Sequence, residues 1–323
     1  MTYVPPSGTL ISMSKVNRNN PIRSGVSDST YSLIEFEREY PDDAACLEKL
    51  VEWLYPNGIF CQKCEKVTKH HRANTRPSYC CQFCGRHEHP MSGTIFQDSA
   101  TSLKLWFYAM YLMASTRCGI SAKQLERELG VTYKTAWRIF KQIRSMLDES
   151  DGPKLSGKIE ADESFYCGLE RNKHANKRQH HGTGGTGKTA VFGMVEREGR
   201  IVATVVPNTQ AATLMPHVIE RMMPRSTVFT DEYVSYSPLE PMGYEHKRVH
   251  HASKVFVSSD AHTNTIEGFW SLTKNGIRGV YHSVGAHYLQ TYLNEYAFRF
   301  NRRKSLGRHN MFKAFTDRIR KVA

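Results

Sequence analysis

The sequence predicts a mixed α/β protein in which a helical N-terminal part precedes a domain built on a partly antiparallel sheet. Three observations predict this class. Apolar residues recur at helical spacing through residues 32–54 and again through residues 102–143. Two Cys-x-x-Cys pairs interrupt that helical part between residues 61 and 84. From residue 158 onward, β-prone runs alternate with helical segments, which is typical of α/β domains.

Composition limits the classes of protein to which the chain can belong. Its 323 residues are enough for two or three domains, and a hydrophobic content of 40% is that of a globular protein. Lys and Arg number 44 against 31 Asp and Glu, and the resulting charge of +13 suits a polyanionic partner. No apolar run is long enough to span a bilayer and no secretory segment is evident, so we expect an intracellular protein.

The N-terminal segments differ in composition from the rest of the chain. Residues 1–30 are rich in Ser, Asn, Pro and Gly and are predicted to be a flexible leader. Residues 31–60 have helical spacing, and Pro41-Asp42-Asp43 marks the start of a helix. This segment holds seven acids against two bases, so we do not expect it to contact DNA phosphates.

The cysteines predict a metal site. Two Cys-x-x-Cys pairs are separated by sixteen residues, and their members are Cys61, Cys64, Cys81 and Cys84. Four thiolates presented by two tight turns match a tetrahedral Zn²⁺ site, which is structural because no coordination position stays open. Cys81 is preferred to its neighbour because it completes the spacing. The alternative ligands near these pairs are Cys80, His70, His71, His87 and His89.

Residues 120–143 follow a helix-turn-helix pattern, after a helix predicted from Ser102 to Thr116. Ser121 begins one helix, Gly130 marks the turn and Thr132 begins a second helix. The polar face of the second helix suits a DNA major groove, and its predicted DNA-binding residues are Lys134, Arg138 and Lys141. A helical hairpin that makes contacts only within the protein is the alternative interpretation.

The second half of the chain begins after a linker at residues 148–156 that is rich in Asp, Glu, Ser and Gly. Its predicted elements are a strand at 158–166, a basic loop, a hairpin of strands at 189–197 and 200–206, a helix at 210–222, a strand at 226–230, a short strand at 245–249, and helices at 263–276 and 284–302. This order predicts a sheet with both antiparallel and parallel neighbours.

Residues 182–189 match the phosphate-binding pattern G-x-x-x-x-G-K-[ST] letter by letter. That loop binds phosphates only between a buried strand and a helix N-terminus. Here a polar, basic run precedes it and a β-prone run follows it. We therefore predict a flexible loop that binds no nucleotide, with Lys188 contacting a DNA backbone.

Acidic residues in two β-prone runs and one helical segment predict a second metal site. Alternation along the strand 158–166 puts Glu160 and Asp162 on one face and Glu163 on the other. Asp231 follows a second β-prone run, and Glu267 lies in the helical segment 263–276. Carboxylates that converge from separate elements are typical ligands of Mg²⁺. Alternation alone leaves Glu160 as eligible as Asp162.

Each of these acids also has a purely structural interpretation. Asp162 is then a solvated side chain, Asp231 a helix cap, and Glu267 the partner of Lys274 or Arg278 on a helix surface. Their joint occurrence favours the metal site.

The sequence around the acids resembles bacterial insertion-sequence transposases related to Merlin elements. The resemblance covers roughly residues 32–305, and Asp231 and Glu267 are separated by 35 residues. The resemblance is carried by the acids together with His262-Thr263-Asn264-Thr265-Ile266-Glu267-Gly268-Phe269-Trp270 and Tyr292-Leu293-Asn294-Glu295-Tyr296-Ala297-Phe298-Arg299-Phe300-Asn301-Arg302-Arg303. Its specific matches are those around Asp162, around Asp231 and from Asn264 to Arg278. In parts of that group the third acidic position is Asn, whereas this chain has Glu267.

The resemblance implies a fold, an activity and a set of ligands. The fold is an N-terminal zinc ribbon joined to a DDE catalytic domain of RNase H-like architecture, a mixed sheet flanked by helices. Asp162, Asp231 and Glu267 are implied to be catalytic and to ligate two Mg²⁺ or Mn²⁺ ions. The implied function is that of a DNA transposase that binds terminal inverted repeats, cleaves DNA and transfers a 3′-OH to target DNA.

Further expectations concern partners and location. Transposon ends and target DNA are double-stranded DNA partners, and bringing two ends together predicts a homo-oligomer on DNA. We expect a cytoplasmic, nucleoid-associated protein. Lys274 and Arg278 are predicted to grip the DNA backbone, whereas His262 and Asn264 are predicted to support the acids or to cap the helix.

The predicted domains are a leader at 1–30, an N-terminal helix with the zinc ribbon at 31–100, a helix-turn-helix-like segment at 101–150, the catalytic domain at 157–305 and a basic tail at 306–323. The tail is predicted to be a DNA-tracking surface or a solvated helix face.

A competing hypothesis for the function of the whole protein is a non-catalytic regulator that binds DNA through the zinc ribbon and helix-turn-helix.

Overall fold

The computed structural model describes residues 31–116, 118–166, 187–249, 262–303 and 308–319. The predicted leader at 1–30 and most of the predicted basic loop and phosphate-loop-like sequence lie outside these residues. In the described part of the chain, no helix combines the length and apolar character needed to cross a bilayer.

The N-terminal part is helical, as predicted. Its helices are α1 (Leu33–Glu39), α2 (Asp43–Leu54), α3 (Leu103–Ser115), α4 (Ala122–Leu129) and α5 (Tyr133–Ser145). The Asp42 side chain accepts a hydrogen bond from the Ala45 amide and caps α2. Ser121 and Thr132 cap α4 and α5 in the same way, and Gly130 ends α4 in the left-handed conformation at φ 62°. The helix-turn-helix pattern is therefore confirmed.

Short strands separate α2 from α3 and carry the cysteine pairs. They are β1 (Phe60–Cys61), β2 (Lys66–Val67), β3 (His70–Arg72), β4 (Tyr79–Cys81) and β5 (His87–Glu88). β1 pairs with β2, and β4 lies between β3 and β5, with all pairings antiparallel. The β1–β2 hairpin thus presents the first Cys-x-x-Cys turn, and the β4–β5 hairpin presents the second.

A five-stranded mixed sheet forms the second half of the molecule. Its strands are β6 (Lys158–Tyr166), β7 (Thr189–Glu196), β8 (Ile201–Val206), β9 (Thr227–Thr230) and β10 (Glu245–Arg248). The order is β10-β9-β6-β7-β8, in which β6, β7 and β8 are antiparallel neighbours and β9 runs parallel to both β6 and β10. The mixed sheet predicted from the sequence is confirmed, including the strand that begins at Thr189.

Helices cover both faces of this sheet. On one face, α6 (Ala211–Arg221) and the 3-10 helix Val234–Leu239 bury apolar side chains against the strands. On the other face lie α7 (Asn264–Gly276) and α8 (Leu289–Asn301). This arrangement confirms the predicted α/β class of RNase H-like type, a mixed sheet flanked by helices. A 3-10 turn at Ala286–Tyr288 delays the start of α8 relative to the predicted residue 284.

The chain ends with a helix that packs back onto the N-terminal helices. This helix, α9 (Arg308–Thr316), buries Met311, Phe312 and Phe315 in the same apolar cluster as α1 and α3. The Phe312 ring stacks on Tyr31 with 5.6 Å between centroids. The predicted tail therefore has one buried apolar face, whereas contact between its bases and DNA stays a prediction.

Candidate functional site

Strand β6 presents acidic side chains toward α7, because alternate residues of a strand point to the same face. Glu160 and Asp162 both contact α7, as the predicted alternation requires. β9 lies beside β6 in parallel register, with Phe229 opposite Glu160. Asp231 follows β9 by one residue and so lies at the level of Asp162, at the end of the parallel pair. The geometry therefore brings acids from two strands to one edge.

Glu160 is fully buried and has structural partners. Its carboxylate accepts hydrogen bonds from the backbone amides of Thr265 and Ile266 at 2.9 and 3.1 Å, and so caps the N-terminus of α7 from a neighbouring strand. The Arg197 guanidinium pairs with the same carboxylate at 2.9 Å. His262 lies beside it, with Nδ1 3.3 Å from Glu160 Oε1. These partners make Glu160 an anchor for α7, which leaves Asp162 as the acid directed to the site.

The predicted supporting residues therefore differ in their roles. His262 contacts Glu160, and its carbonyl accepts a hydrogen bond from Arg197. Asn264 is exposed as the first residue of α7 and does not cap the helix, since Glu160 binds the free amides. The sequence offered no sign of this capping because Glu160 lies more than a hundred residues before α7.

Asp162 is held by the indole of Trp270. The Trp270 Nε1–H donates a hydrogen bond to Asp162 Oδ2 at 3.0 Å. Gly193 lies opposite Asp162 on β7, and a Cβ at Gly193 would come within 2.5 Å of the Trp270 ring. Glycine at this position therefore gives the indole the space it needs to reach Asp162.

The electrostatics of Asp162 show that the three predicted acids are neighbours. The pKa of Asp162 is raised to about 6, chiefly by burial and also by the negative charges of Asp231 and Glu267, against the lowering effect of its hydrogen bonds. Glu267 lies in the first turn of α7, where its Oε1 accepts a hydrogen bond from the Thr263 hydroxyl at 2.9 Å. Asp231 Oδ1 accepts one from the backbone amide of Tyr233 at 3.0 Å.

A fourth acid, Glu163, belongs to the same neighbourhood, although the sequence favoured Asp162 as the ligand on β6. Burial raises the pKa of Glu163 to about 7, and the charges of Asp162 and Asp231 contribute. Its Oε1 is buried and has no hydrogen-bond partner among the described residues. Glu163 also contributes, after burial, to the high pKa of Tyr236 in the 3-10 helix that follows Asp231. Alternation assigned Glu163 to the other face of β6, and nothing in the sequence indicated that this face is also covered near Asp231.

The acids suit divalent cations in charge and in donor chemistry. Hard carboxylate oxygens are the ligands that Mg²⁺ and Mn²⁺ prefer, and a buried group of like charges is stabilised by a cation. Two divalent ions held by such acids lie about 3.5–4 Å apart in two-metal sites.

The four predicted cysteines converge as one cluster. Cys61 Sγ lies 3.4 Å from Cys84 Sγ, and Cys64 Sγ lies 3.9 Å from Cys81 Sγ. The Thr68 hydroxyl lies 3.2 Å from Cys81 Sγ and lowers the pKa of that thiol, which favours the thiolate that metals bind. This four-cysteine cluster is compatible with zinc.

The alternative ligands near this cluster are directed elsewhere. Cys80 lies near the backbone carbonyl of Gly85. His70 Nδ1 contacts Thr68, and His87 Nδ1 contacts the hydroxyl of Ser78. The preference for Cys81 over Cys80 thus agrees with the geometry.

Three predicted DNA-contacting bases lie next to the acids. Burial lowers the pKa of Lys274, and the charges of Arg278 and Lys188 lower it further, whereas Asp162 raises it. Asp162, Arg278 and Lys188 are therefore each within electrostatic range of Lys274. Lys188 and Arg278 are exposed, and the Lys274 ammonium lies 5.7 Å from the centre of the Tyr166 ring. A positively charged border thus adjoins the acidic site.

The predicted groove-facing residues of α5 have different environments. Lys134 is exposed near the start of the helix, and Lys141 is exposed with its ammonium 5.5 Å from the Trp137 ring. Arg138 instead donates hydrogen bonds to the hydroxyls of Ser99 and Thr101 at 3.1 and 3.2 Å. Lys134 and Lys141 are thus available to a ligand, whereas Arg138 holds α5 against the segment that precedes α3.

Solved structures to which this chain is similar include a pre-cleavage Mos1 transpososome and the Mos1 strand transfer complex, both 13% identical to this chain. The match to the transpososome covers 62% of this chain and 74% of the Mos1 chain, with a TM-score of 0.27. The match to the strand transfer complex covers 61% of this chain and 76% of the Mos1 chain, with a TM-score of 0.23.

Sequence comparisons identify relatives and a family. An uncharacterized protein in the transposable element ISH50 of Halobacterium salinarum is 30% identical over 270 residues, which are 79% of this chain and 89% of that protein. An uncharacterized transposase-like protein of Haemophilus influenzae is 32% identical over 102 residues, 32% of this chain and 81% of its own. Residues 154–301 match the ISXO2-like transposase domain. The chain therefore belongs to the insertion-sequence transposases.

Proposed function

We propose that this transposase binds the terminal inverted repeats of a transposon and uses Asp162, Asp231 and Glu267 to hold two Mg²⁺ or Mn²⁺ ions for DNA cleavage and strand transfer. The observation that carries the proposal is that Asp162 lies at the level of Asp231 at the end of the β6–β9 pair and accepts a hydrogen bond from Trp270, on the helix that carries Glu267. Membership of the transposase family supports the reaction class.

The proposed reaction has two displacements at phosphorus. Water first attacks a phosphodiester, the bond to the 3′ oxygen breaks, and a 3′-OH is left on the transposon end. That 3′ oxygen then attacks a phosphodiester of target DNA, from which a 3′ oxygen leaves. When bound, two divalent ions supply charge stabilisation and activation of the attacking oxygen.

The residues of the chain arrange the ligands for this chemistry. Trp270 fixes the orientation of Asp162 through its indole N–H. Glu160 anchors the N-terminus of α7 and thereby places Glu267, in the first turn of the helix, at the same edge. The backbone amide of Tyr233 holds Asp231. Each acid thus has its own support from a different element, which is how a preorganised metal site is built.

DNA is held in this proposal by bases on two surfaces. Lys188, Lys274 and Arg278 border the acids and contact the backbone of the strand to be cut. Lys134 and Lys141 on α5 contact the transposon end. The four-cysteine cluster binds one structural Zn²⁺ and stabilises the fold of the short strands. The protein acts as a homo-oligomer on DNA in the bacterial cytoplasm.

The first prediction separates metal ligands from structural acids. Asp162→Asn, Asp231→Asn and Glu267→Gln should each reduce Mg²⁺-dependent cleavage by at least about a thousandfold, while binding of inverted-repeat DNA stays within a fewfold of the native value. Isothermal titration with Mn²⁺ should show weaker binding in each variant, a readout that does not depend on turnover.

Glu160→Gln is the matched control, because Glu160 caps α7 and is directed away from the ions in this proposal. It should lower the stability of the protein more than any of the three ligand variants. Cleavage that persists after Asp162→Asn would contradict the proposal. Sequence-specific binding by the native protein without strand scission under any divalent ion would instead support the non-catalytic regulator.

A further inference from the structure

The turn that follows Asp231 exposes two large side chains beside the acidic site. Val234 has 79% of its surface exposed, more than any other large hydrophobic residue of the described chain, and Tyr233 has 43% exposed. Both residues belong to the segment that leads into the 3-10 helix Val234–Leu239. Such exposure costs free energy in water. The exposure of Tyr233 and Val234 so near Asp231, a proposed metal ligand, indicates a surface that a ligand of the site contacts.

Tyr233 is held in place despite its exposure. Its backbone amide donates to Asp231 Oδ1 at 3.0 Å, its hydroxyl lies 3.2 Å from the Thr209 hydroxyl, and its ring meets Tyr236 edge-on at 6.5 Å between centroids. Tyr236 is fully buried and fixes the following 3-10 helix to the sheet. Tyr233 is thus a supported aromatic ring, whose position relative to Asp231 is set by the turn itself.

The surroundings of this ring favour one kind of ligand. Lys188, Lys274 and Arg278 border the same acids and attract an anionic chain. A nucleic-acid strand that presents a phosphate to the acids also presents the adjacent nucleobase to the neighbouring surface. Exposed aromatic rings next to a basic border bind unpaired bases by stacking, without regard to sequence.

We infer that Tyr233, with Val234 beside it, is a platform on which a nucleobase adjoining the scissile phosphate stacks after it leaves the duplex. Capture of that base fixes the position of the adjacent phosphodiester relative to the acids. Stacking on Tyr233 offsets part of the cost of unpairing the base. The inference rests on the proposed function, and it adds a base-binding subsite to the metal site.

The test uses the full-length native protein and inverted-repeat duplexes that carry a single 2-aminopurine at one of four positions flanking the cleavage site. Fluorescence is measured with Ca²⁺ in place of Mg²⁺, so that no strand is cut. One flanking position should show a protein-dependent change from unpairing and stacking. Tyr233→Ala should abolish the stacking component at that position and slow Mg²⁺-dependent cleavage at least about fivefold, the lower end of the effect of one stacked base.

Two further variants separate stacking from a structural effect. Tyr233→Trp keeps an aromatic face and should restore most of the position-specific signal, which a general loss of stability cannot explain. Ile219→Ala removes another exposed apolar side chain, on α6, and should leave signal and cleavage unchanged. An unchanged fluorescence signal in Tyr233→Ala, with native cleavage, would overturn the inference. Absence of cleavage by the native protein would instead count against the proposed function.

Discussion

At the scale of single residues, Asp162 combines burial with proximity to other negative charges. Its pKa of about 6 lies above the ordinary value of 3.8, chiefly because burial disfavours the carboxylate. A carboxyl whose pKa rises on folding adds stability below its unfolded pKa, and that stability is lost as the pH rises through the folded pKa. Metal-free protein therefore loses stability from this group between about pH 4 and pH 7, by at most about 3 kcal/mol.

This effect predicts that a ligand variant is more stable than the native protein. At pH 7.5 without divalent metal, Asp162→Asn should raise the free energy of unfolding by about 1–3 kcal/mol. Its side chain carries no charge, and its amide oxygen still accepts the hydrogen bond from Trp270. Urea unfolding at pH 3.5 and at pH 7.5 measures the effect, which should vanish at the lower pH because both side chains are then neutral.

Glu220→Gln is the control for this measurement, since Glu220 is an exposed carboxyl on α6. It should change the unfolding free energy by less than about 0.5 kcal/mol at either pH. Mn²⁺ should stabilise the native protein and not Asp162→Asn, because a ligand that binds only the folded state adds stability. A variant less stable than the native protein at pH 7.5 would contradict this account of Asp162.

At the scale of secondary-structure elements, α7 is fixed to the sheet through a close contact with β7. The Trp270 ring occupies the space that a side chain at Gly193 would fill. Gly193→Ala should displace the indole, break its hydrogen bond to Asp162 and cost about 1–3 kcal/mol of stability, which is typical of overpacking in a core. Thermal unfolding and the tryptophan emission spectrum measure the two effects.

Gly268→Ala is the matched control for this prediction. Gly268 also lies in the α7 region of the site, but a Cβ there meets no atom within 4 Å. Because alanine is the better helix former, this variant should be as stable as the native protein or up to about 1 kcal/mol more stable. Equal stability of Gly193→Ala and Gly268→Ala would show that the Trp270 contact is not tight.

The elements show how far the sequence predicts this structure. The bounds of β6 were predicted to the residue and those of α6, α7 and β9 to within a residue or so, because each has a clear period and a clear stop signal. The three acids were predicted together because their local sequences carry the resemblance. By contrast, the role of Glu160 depends on α7, more than a hundred residues away. Such pairings exist only once the chain has folded, and no local pattern encodes them.

The same reasoning explains why α9 was not recognised as part of the core. Basic residues dominate its composition, but the Phe312 ring packs against Tyr31 and the Phe315 ring packs against Phe298. The apolar spacing within so short a segment is too brief to distinguish a buried helix from a solvated one. The environment supplied by α1 and α8 decides the outcome.

At the scale of the whole molecule, a buried charge cluster joins the helical N-terminal part to the helices on the sheet. Glu295 of α8 accepts hydrogen bonds from Arg144 of α5 at 2.8 Å and from Arg299 at 2.7 Å. Arg299 also donates to the carbonyls of Met113 and Thr116 at the end of α3. Burial alone would raise the pKa of Glu295, but the two guanidinium groups lower it. The cluster therefore fixes α5 relative to the sheet that carries the acids.

The buried charge cluster predicts a large loss of stability when one of its charges is removed. Glu295→Gln should lower the free energy of unfolding by about 3–5 kcal/mol, because two buried guanidinium groups then lack a counter-charge. Asp317→Asn is the control, since Asp317 and Lys313 form an exposed pair on the chain's last helical segment, and it should cost less than about 0.5 kcal/mol. Urea unfolding measures both. A loss below about 1 kcal/mol in Glu295→Gln would mean that packing between α5 and α8, and not charge, holds the two parts together.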